Sequence, residues 1–243
     1  MLDETTYYFT AFAIDQNNNI IDTQTLSITT DFWWHVTPNT LLYLPLDGDL
    51  IDKSANHNNW TWEWTAQYDD IIAWWTKKCA YFNSNSAIKL TSELFSWNPT
   101  FTNSCWVKTN SSGVSFMHTF WQDSWWRRSV LCMFYNNNKR PLQDTYWTDI
   151  YIWNATTSDL WGKWINIIYT YSWWTHKLYI NWVLYWTWSW NLNISSWYQR
   201  YIWRKLGDLY GYCLADSIFE NIVWSADDAL NYYNKTKKKF GYT

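Results

Sequence analysis

The sequence predicts an all-β sandwich with one short helix at its C-terminal end. Three observations carry that reading. From Thr40 onward, short apolar stretches recur roughly every 8 to 15 residues between polar turns, the rhythm of antiparallel strands. The pair Asn181-Trp182 separates two strand-like runs, Lys177–Ile180 and Val183–Trp186, by two residues, which is a hairpin signal. Near the end, Ser225 precedes a segment with Asp227 and Asp228 in its first turn and Lys235 and Lys237 at its close, the charge order of a helix over Ala226–Lys235.

Along the chain, residues 5–12 and 22–30 read as two strands joined by the polar loop Asp15–Asn19. Two strands alone do not make a stable domain. Asp31–Asn39, with Trp33-Trp34 and Pro38, reads as a linker. The expected strands of the main domain are Leu41–Leu46, Cys79–Phe82, Ala87–Leu90, Phe101–Lys108, Ser115–Phe120, Val130–Tyr135, Asp149–Trp153, Trp164–Tyr171, Lys177–Ile180, Val183–Trp186, Tyr201–Arg204 and Ala215–Val223. The basic run Lys237-Lys238-Lys239 reads as a solvated helix end.

Composition adds an anomaly. The 243 residues include 25 Trp and only 6 Gly, whereas average usage gives about 17 Gly. Tryptophan stands where glycine chemistry is wanted: as doublets in polar loops (Trp33-Trp34, Trp74-Trp75, Trp125-Trp126, Trp173-Trp174) and after Asn181 in a two-residue turn. That turn needs φ > 0 at both central positions, which a bulky residue resists. We therefore expect that most of these tryptophans are glycines in the natural protein. A UGA codon that some bacterial lineages read as glycine, translated as Trp, would generate this pattern. The alternative is a genuinely Trp-rich protein that stacks sugars on aromatic rings; UGG codons at positions 173, 174 and 182 would decide for it.

The net charge of −3 with 16% charged residues gives no footprint for nucleic acid. Cys79, Cys105, Cys132 and Cys213 lie far apart beside apolar neighbours and read as buried thiols, with one disulfide as the alternative. No apolar run approaches the length of a transmembrane helix, and the start Met1-Leu2-Asp3-Glu4 lacks the pattern of a signal peptide, so export would need a signal upstream.

Several passages carry a family resemblance. Leu2, Thr6 and Tyr7, followed by Ala11-Phe12-Ala13, resemble the tyrosine-corner region of a fibronectin type III domain over about 30 residues, with a shorter loop than usual. In the rest of the chain, Tyr43-Leu44-Pro45-Leu46-Asp47-Gly48 with the loop Asp52–Trp60, the strand Phe101–Lys108, the pair Gly162–Ile167 and Leu178–Trp182, and the closing Ile218–Trp224 appear in the order found in laminin-G-like, concanavalin A-like domains. The resemblance implies a two-sheet antiparallel jelly-roll sandwich over 40–243, a fibronectin-like C-terminal fragment over 1–31 and a linker over 32–39. It also sorts the tryptophans. Trp106, Trp164 and Trp224 stand at aromatic positions of the family within apolar strands and are expected to be genuine; Trp147 and Trp161 stay undecided, and the other twenty are expected to be mostly glycine.

Catalysis finds no constellation. Related jelly-roll glycosidases space their carboxylates Glu-x-Asp-x-Glu on one strand, whereas Glu4, Glu63, Glu93 and Glu220 are far apart. His35, His57, His118 and His176 show no metal-ligand spacing, and His57 and His176 fall in expected loops as surface residues. Asp47, Asp49 and Asp52 with Asn56 offer oxygen ligands for calcium, although a turn in which Asp and Asn satisfy local backbone groups is the favoured reading. Tyr146, Tyr151 and Tyr210 are candidate sugar-stacking rings. The expected function is a non-catalytic extracellular or cell-surface binding module for a glycan or protein, part of a larger multidomain chain, with no nucleic-acid partner and no cofactor beyond calcium. An accessory module of a secreted hydrolase and a structural spacer are the alternatives.

Overall fold

The computed structural model describes residues 5–17, 20–30, 36–58, 61–63, 67–72, 75–82, 87–89, 94, 100–109, 129–135, 140–145, 148–151, 162–189, 201–204 and 212–243. The chain divides into two compact units, Met1–Thr37 and Pro38–Thr243. The first contains β1 (Thr5–Ile14) and β2 (Ile20–Thr30), paired antiparallel from Thr5↔Thr30 to Ile14↔Ile20 with a register shift at Ala13/Ile14. In their connection the Asp15 carboxylate accepts from the Asn17 N–H at 2.7 Å, a local bond that turns the chain.

The second unit holds β3 (Thr40–Leu44), β4 (Thr61–Glu63), β5 (Gln67–Ile72), β6 (Trp75–Phe82), β7 (Ala87–Lys89), β8 (Phe101–Thr109), β9 (Ser129–Tyr135), β10 (Arg140–Thr145), β11 (Thr148–Tyr151), β12 (Trp164–Ser172), β13 (Thr175–Ile180), β14 (Val183–Ser189), β15 (Tyr201–Arg204), β16 (Tyr212–Glu220) and α1 (Ala226–Thr236). An eight-stranded sheet runs β14-β13-β12-β8-β16-β6-β5, with β3 also pairing β16, and two three-stranded sheets run β11-β10-β9 and β15-β7-β4. Every pairing is antiparallel. The fold is an all-β sandwich with one short C-terminal helix, as the sequence predicts.

The central strands of the eight-stranded sheet are buried on both faces, β12 over Trp164–Tyr171 and β16 along its whole length, whereas the edge strand β14 exposes Val183, Leu184 and Tyr185. On one face Phe101, Cys105 and Val107 of β8 join Ile165, Ile167, Tyr169 and Tyr171 of β12 and Leu178 and Ile180 of β13 in the main core. Residues two apart point the same way, so the intervening Trp106 and Trp164 face the other side. There they meet Tyr233 and Phe240 from the C-terminal segment. Trp106 stacks on Phe240 at 4.2 Å and donates its indole N–H to Thr236 Oγ1 at 3.0 Å.

Helix α1 starts where the chain stops extending. The Ser225 hydroxyl accepts from the Asp228 N–H, and the Asp228 carboxylate accepts from the Ser225 N–H at 2.8 Å, a reciprocal cap on two orphan donors. A final turn of 3-10 helix, Lys237–Phe240, ends at Gly241 with φ +87°. That left-handed position is one glycine reaches without strain.

Three expectations need correcting. The closing strand is Tyr212–Glu220 and not Ala215–Val223. It bulges between Ala215 and Ile218, where Asp216 takes φ +47°. Trp224 therefore lies in the connection to α1, outside any strand, although it is buried. His176 is no surface residue: it sits inside β13 and is fully buried. Strands β4, β5 and β10 escape the sequence reading because they are short, carry Asp69-Asp70, or contain Pro141, which strands tolerate only at edges and bulges. The expected strand Ser115–Phe120 lies outside the described residues. Cys79, Cys105 and Cys213 are buried thiols, and Cys132 falls in β9.

The two turns of the β12–β13–β14 meander are both two residues long, since Ser172 pairs Thr175 and Ile180 pairs Val183. Both central residues of each turn are left-handed: Trp173 φ +42° and Trp174 φ +73°, then Asn181 φ +46° and Trp182 φ +68°. The indoles gain no burial in return, with Trp173 86% and Trp174 54% exposed. A non-glycine residue held left-handed costs roughly 1–2 kcal/mol. Trp182→Gly should therefore stabilise the unit by about 1 kcal/mol, a rise of roughly 3 °C in thermal midpoint. Differential scanning calorimetry of the variant beside the parent checks it; an unchanged or lowered midpoint contradicts the strain argument.

Candidate functional site

The loop after β3 is organised by one carboxylate. Asp52 Oδ1 accepts from the Tyr43 N–H at 3.0 Å and the Ser54 N–H at 2.8 Å, while Oδ2 accepts from the Ser54 hydroxyl at 2.8 Å and the Asn58 N–H at 2.7 Å. Four donors hold the buried charge in place, so its lone pairs are spent on the chain's own backbone. Asn56 and Asn58 complete the lock by donating their amides to the carbonyls of Thr40 and Leu41. The Asp52-Lys53-Ser54 and Asn56-His57-Asn58 pattern thus ties the loop to β3, with His57 exposed at φ +48° in the turn.

The other two members of the acidic trio stand apart from that lock. Asp49 accepts from the Ile51 N–H at 2.9 Å and faces Lys53 Nζ at 3.8 Å. Burial raises the Asp47 carboxyl above the usual carboxylate range, helped by the negative charge of Asp49. Among the described residues, no three His, Cys, Asp or Glu side chains are grouped as a metal site. Of the three candidate stacking rings, Tyr146 and Tyr210 lie outside the described residues. Tyr151 ends β11 opposite Leu142, and its side chain is likewise outside the description.

Beneath the acidic loop, Asp216 is held in its bulge from three directions. The Tyr43 hydroxyl donates to its Oδ1 at 2.9 Å, Lys239 Nζ lies 3.5 Å from Oδ2, and the Tyr232 hydroxyl donates to its carbonyl at 3.2 Å. Burial first, then the Asp216 charge, pushes both phenols well above their ordinary pKa. Glu220 is similarly engaged, accepting from Thr40 Oγ1 at 2.9 Å and from the Trp224 indole N–H at 2.5 Å. These are load-sharing contacts between β3, β16 and α1, with the carboxylates turned inward to protein donors.

A second polar group was invisible to the sequence reading. His176 hydrogen-bonds through Nδ1 to the Tyr169 hydroxyl at 2.6 Å. The Tyr171 ring stands 4.7 Å from it, and Trp188 lies nearly parallel to the imidazole at 4.8 Å and 14°. The signal that could have found it is period two: His176, Leu178 and Ile180 share one face of β13, and the last two are core residues. Chemically the group combines aromatic faces with a hydroxyl and an imidazole, all of them buried behind Trp188.

No protein-family model matches the chain, and no curated protein matches it by sequence. Solved structures do match. Domain 4 of AbnA, a GH43 extracellular arabinanase from Geobacillus stearothermophilus, solved in complex with arabinotriose, superposes with a TM-score of 0.62 at 16% identity. The match covers 79% of this chain and 97% of that one. The binding domain of botulinum neurotoxin serotype D gives 0.62 at 13% identity, and that of Paraclostridial Mosquitocidal Protein 1 gives 0.60 at 15%. They cover 83% and 81% of this chain, which spans about half of each toxin domain (52% in both). At these identities the likeness shows the fold, a β-sandwich shared with binding domains.

Two outcomes follow from the geometry. Asp52→Ala strands several buried N–H donors and should cost about 3 kcal/mol, read as a thermal midpoint roughly 6–12 °C lower; a loss under 1 kcal/mol contradicts the lock. The raised Tyr43 and Tyr232 phenols keep their protons in the folded state at a pH where the unfolded chain has lost them. Stability is therefore full below about pH 10, the ordinary tyrosine value, and falls as pH rises beyond it. Urea midpoints measured between pH 8 and 11 check this, and a flat profile contradicts it.

Proposed function

We propose that this chain is a non-catalytic, laminin-G-like binding module of an extracellular multidomain protein, and that its ligand is a neutral glycan. The observation that carries the reading is the match to domain 4 of the arabinanase over nearly its whole length, a domain solved with arabinotriose. The inward engagement of Asp52, Asp216 and Glu220 supports it, since carboxylates saturated by protein donors are poorly placed for acid-base chemistry. Among the described residues no helix is long and apolar enough to cross a membrane.

The same match favours one second reading, in which the module serves a secreted hydrolase whose catalytic domain lies elsewhere in the polypeptide. In both readings residues 1–31 are the end of a fibronectin type III-like domain, and 32–39 link it to the module. The natural chain carries glycine at turn positions 173, 174 and 182 and keeps indoles at Trp106, Trp164 and Trp224. Support comes from the contrast in polar satisfaction. Trp106 and Trp224 donate their N–H groups to Thr236 and Glu220, whereas the N–H groups of Trp186 and Trp188 are buried without an acceptor.

The test is a glycan array probed with the glycine-bearing chain, with and without calcium, followed by calorimetry with arabinotriose and other neutral oligosaccharides. Saturable binding to a neutral glycan is the expected result. A calcium requirement would place a cation at Asp47 and Asp49, and silence under both conditions would remove the glycan reading.

A further inference from the structure

We propose that the recess now filled by Trp186 and Trp188 is the glycan site, with His176, Tyr169 and Tyr171 as its floor. This deepens the neutral-glycan reading and rests on it. Strand β14 ends the eight-stranded sheet, and its residues divide by side. Val183, Leu184 and Tyr185 are exposed, while Trp186 and Trp188 turn partly inward against the main core.

These two indoles fill the space without fitting it. Their N–H groups are removed from water and find no acceptor among the described residues, which is unfavourable for a buried donor. Beside Trp188 lies a polar pair, His176 Nδ1 and the Tyr169 hydroxyl, 2.6 Å apart. Trp188 covers the imidazole face at 4.8 Å and lies 6.1 Å from Tyr169 in a stacked arrangement. A ring that carries hydroxyls on its rim can occupy that position and exchange hydrogen bonds with the pair, whereas the indole N–H of Trp188 finds no acceptor among the described residues.

With glycine at 186 and 188, the space of two indole rings opens at the sheet's edge. Its described floor is Phe101, Tyr169, Tyr171 and His176, aromatic faces with a hydroxyl-imidazole pair among them. A sugar ring meets both demands, its apolar face against the rings and its hydroxyls toward the polar pair. The four floor residues named carry no carboxylate, ammonium or guanidinium, which suits the neutral glycan of the proposed function.

The experiment compares the parent with Trp186→Gly/Trp188→Gly, and then adds His176→Ala or Tyr169→Phe to the opened variant. Neutral pentose and hexose trisaccharides are titrated by calorimetry into each. The expected result is no heat with the parent, saturable binding to the opened variant, and affinity at least about tenfold weaker when either polar partner is removed. Binding that survives both floor substitutions overturns this site and leaves the glycan reading standing. Absence of binding by the opened variant, with cooperative melting retained, overturns the site as well. Were the array also silent, the broader reading would fall with it. If the double variant does not fold, Trp188→Gly alone is treated with diethylpyrocarbonate. His176 should turn reactive and be protected by the bound trisaccharide; an imidazole that stays unreactive, or reacts equally with sugar present, overturns the proposal.

Discussion

A two-residue connection between antiparallel strands favours a type I′ or II′ turn, and both turns here are left-handed at their two central positions. The meander of β12, β13 and β14 contains two such turns in succession, so the register of three neighbouring strands depends on four φ angles. If either turn opened, every side chain beyond it would slip relative to its partner strand, and Leu178, Ile180 and His176 would lose their places against β12. Three of the four positions are printed as tryptophan, the residue type with the most side chain to place on the least permissive backbone. Asn181 is the exception that shows how such a position is properly furnished. Its side-chain oxygen accepts from the Asn166 N–H at 2.9 Å while its own N–H donates to the Asn166 carbonyl at 2.8 Å.

The second organising device is the double coverage of the eight-stranded sheet. One face is the sandwich core; the other would present Trp106, Trp164, Cys213 and Ala215 to water were it not for the C-terminal segment. Helix α1 is short, and isolated helices of this length are marginal. It persists because its cap is complete at Ser225 and because Tyr233 and Phe240 bury apolar rings against the sheet. Asp216 ties the C-terminal segment to the sheet. Its bulge in β16 redirects the strand, and Tyr43, Tyr232 and Lys239 reach it from β3, α1 and the last turn.

Much of this was legible from residue order. The strands around Phe101, Trp164, Thr175 and Tyr201 announce themselves through β-branched and aromatic runs between turns, and the helix through its capping serine and charge order. What stayed hidden has physical reasons. The closing strand lies three residues earlier than expected, and its bulge at Asp216 carries no glycine as a marker. The aspartates of β5 and the proline of β10 break the apolar pattern that strands are recognised by. The acidic loop left a calcium reading open beside the favoured turn, because four hydrogen bonds converging on Asp52 and a cation site draw on the same residue types. His176 was misplaced because a polar residue next to a turn looks like loop, although its spacing to Leu178 and Ile180 put it on the buried face.

The central claim is that the turn and edge positions of this sandwich are small in the protein its cell makes. Peptide sequencing by tandem mass spectrometry of the natural polypeptide tests it most directly, on the segment from Leu178 to Arg200, which contains Trp182, Trp186 and Trp188. The account predicts glycine at all three positions, with tryptophan retained at Trp106 in the same sample. Intact indoles at 182, 186 and 188 would contradict it.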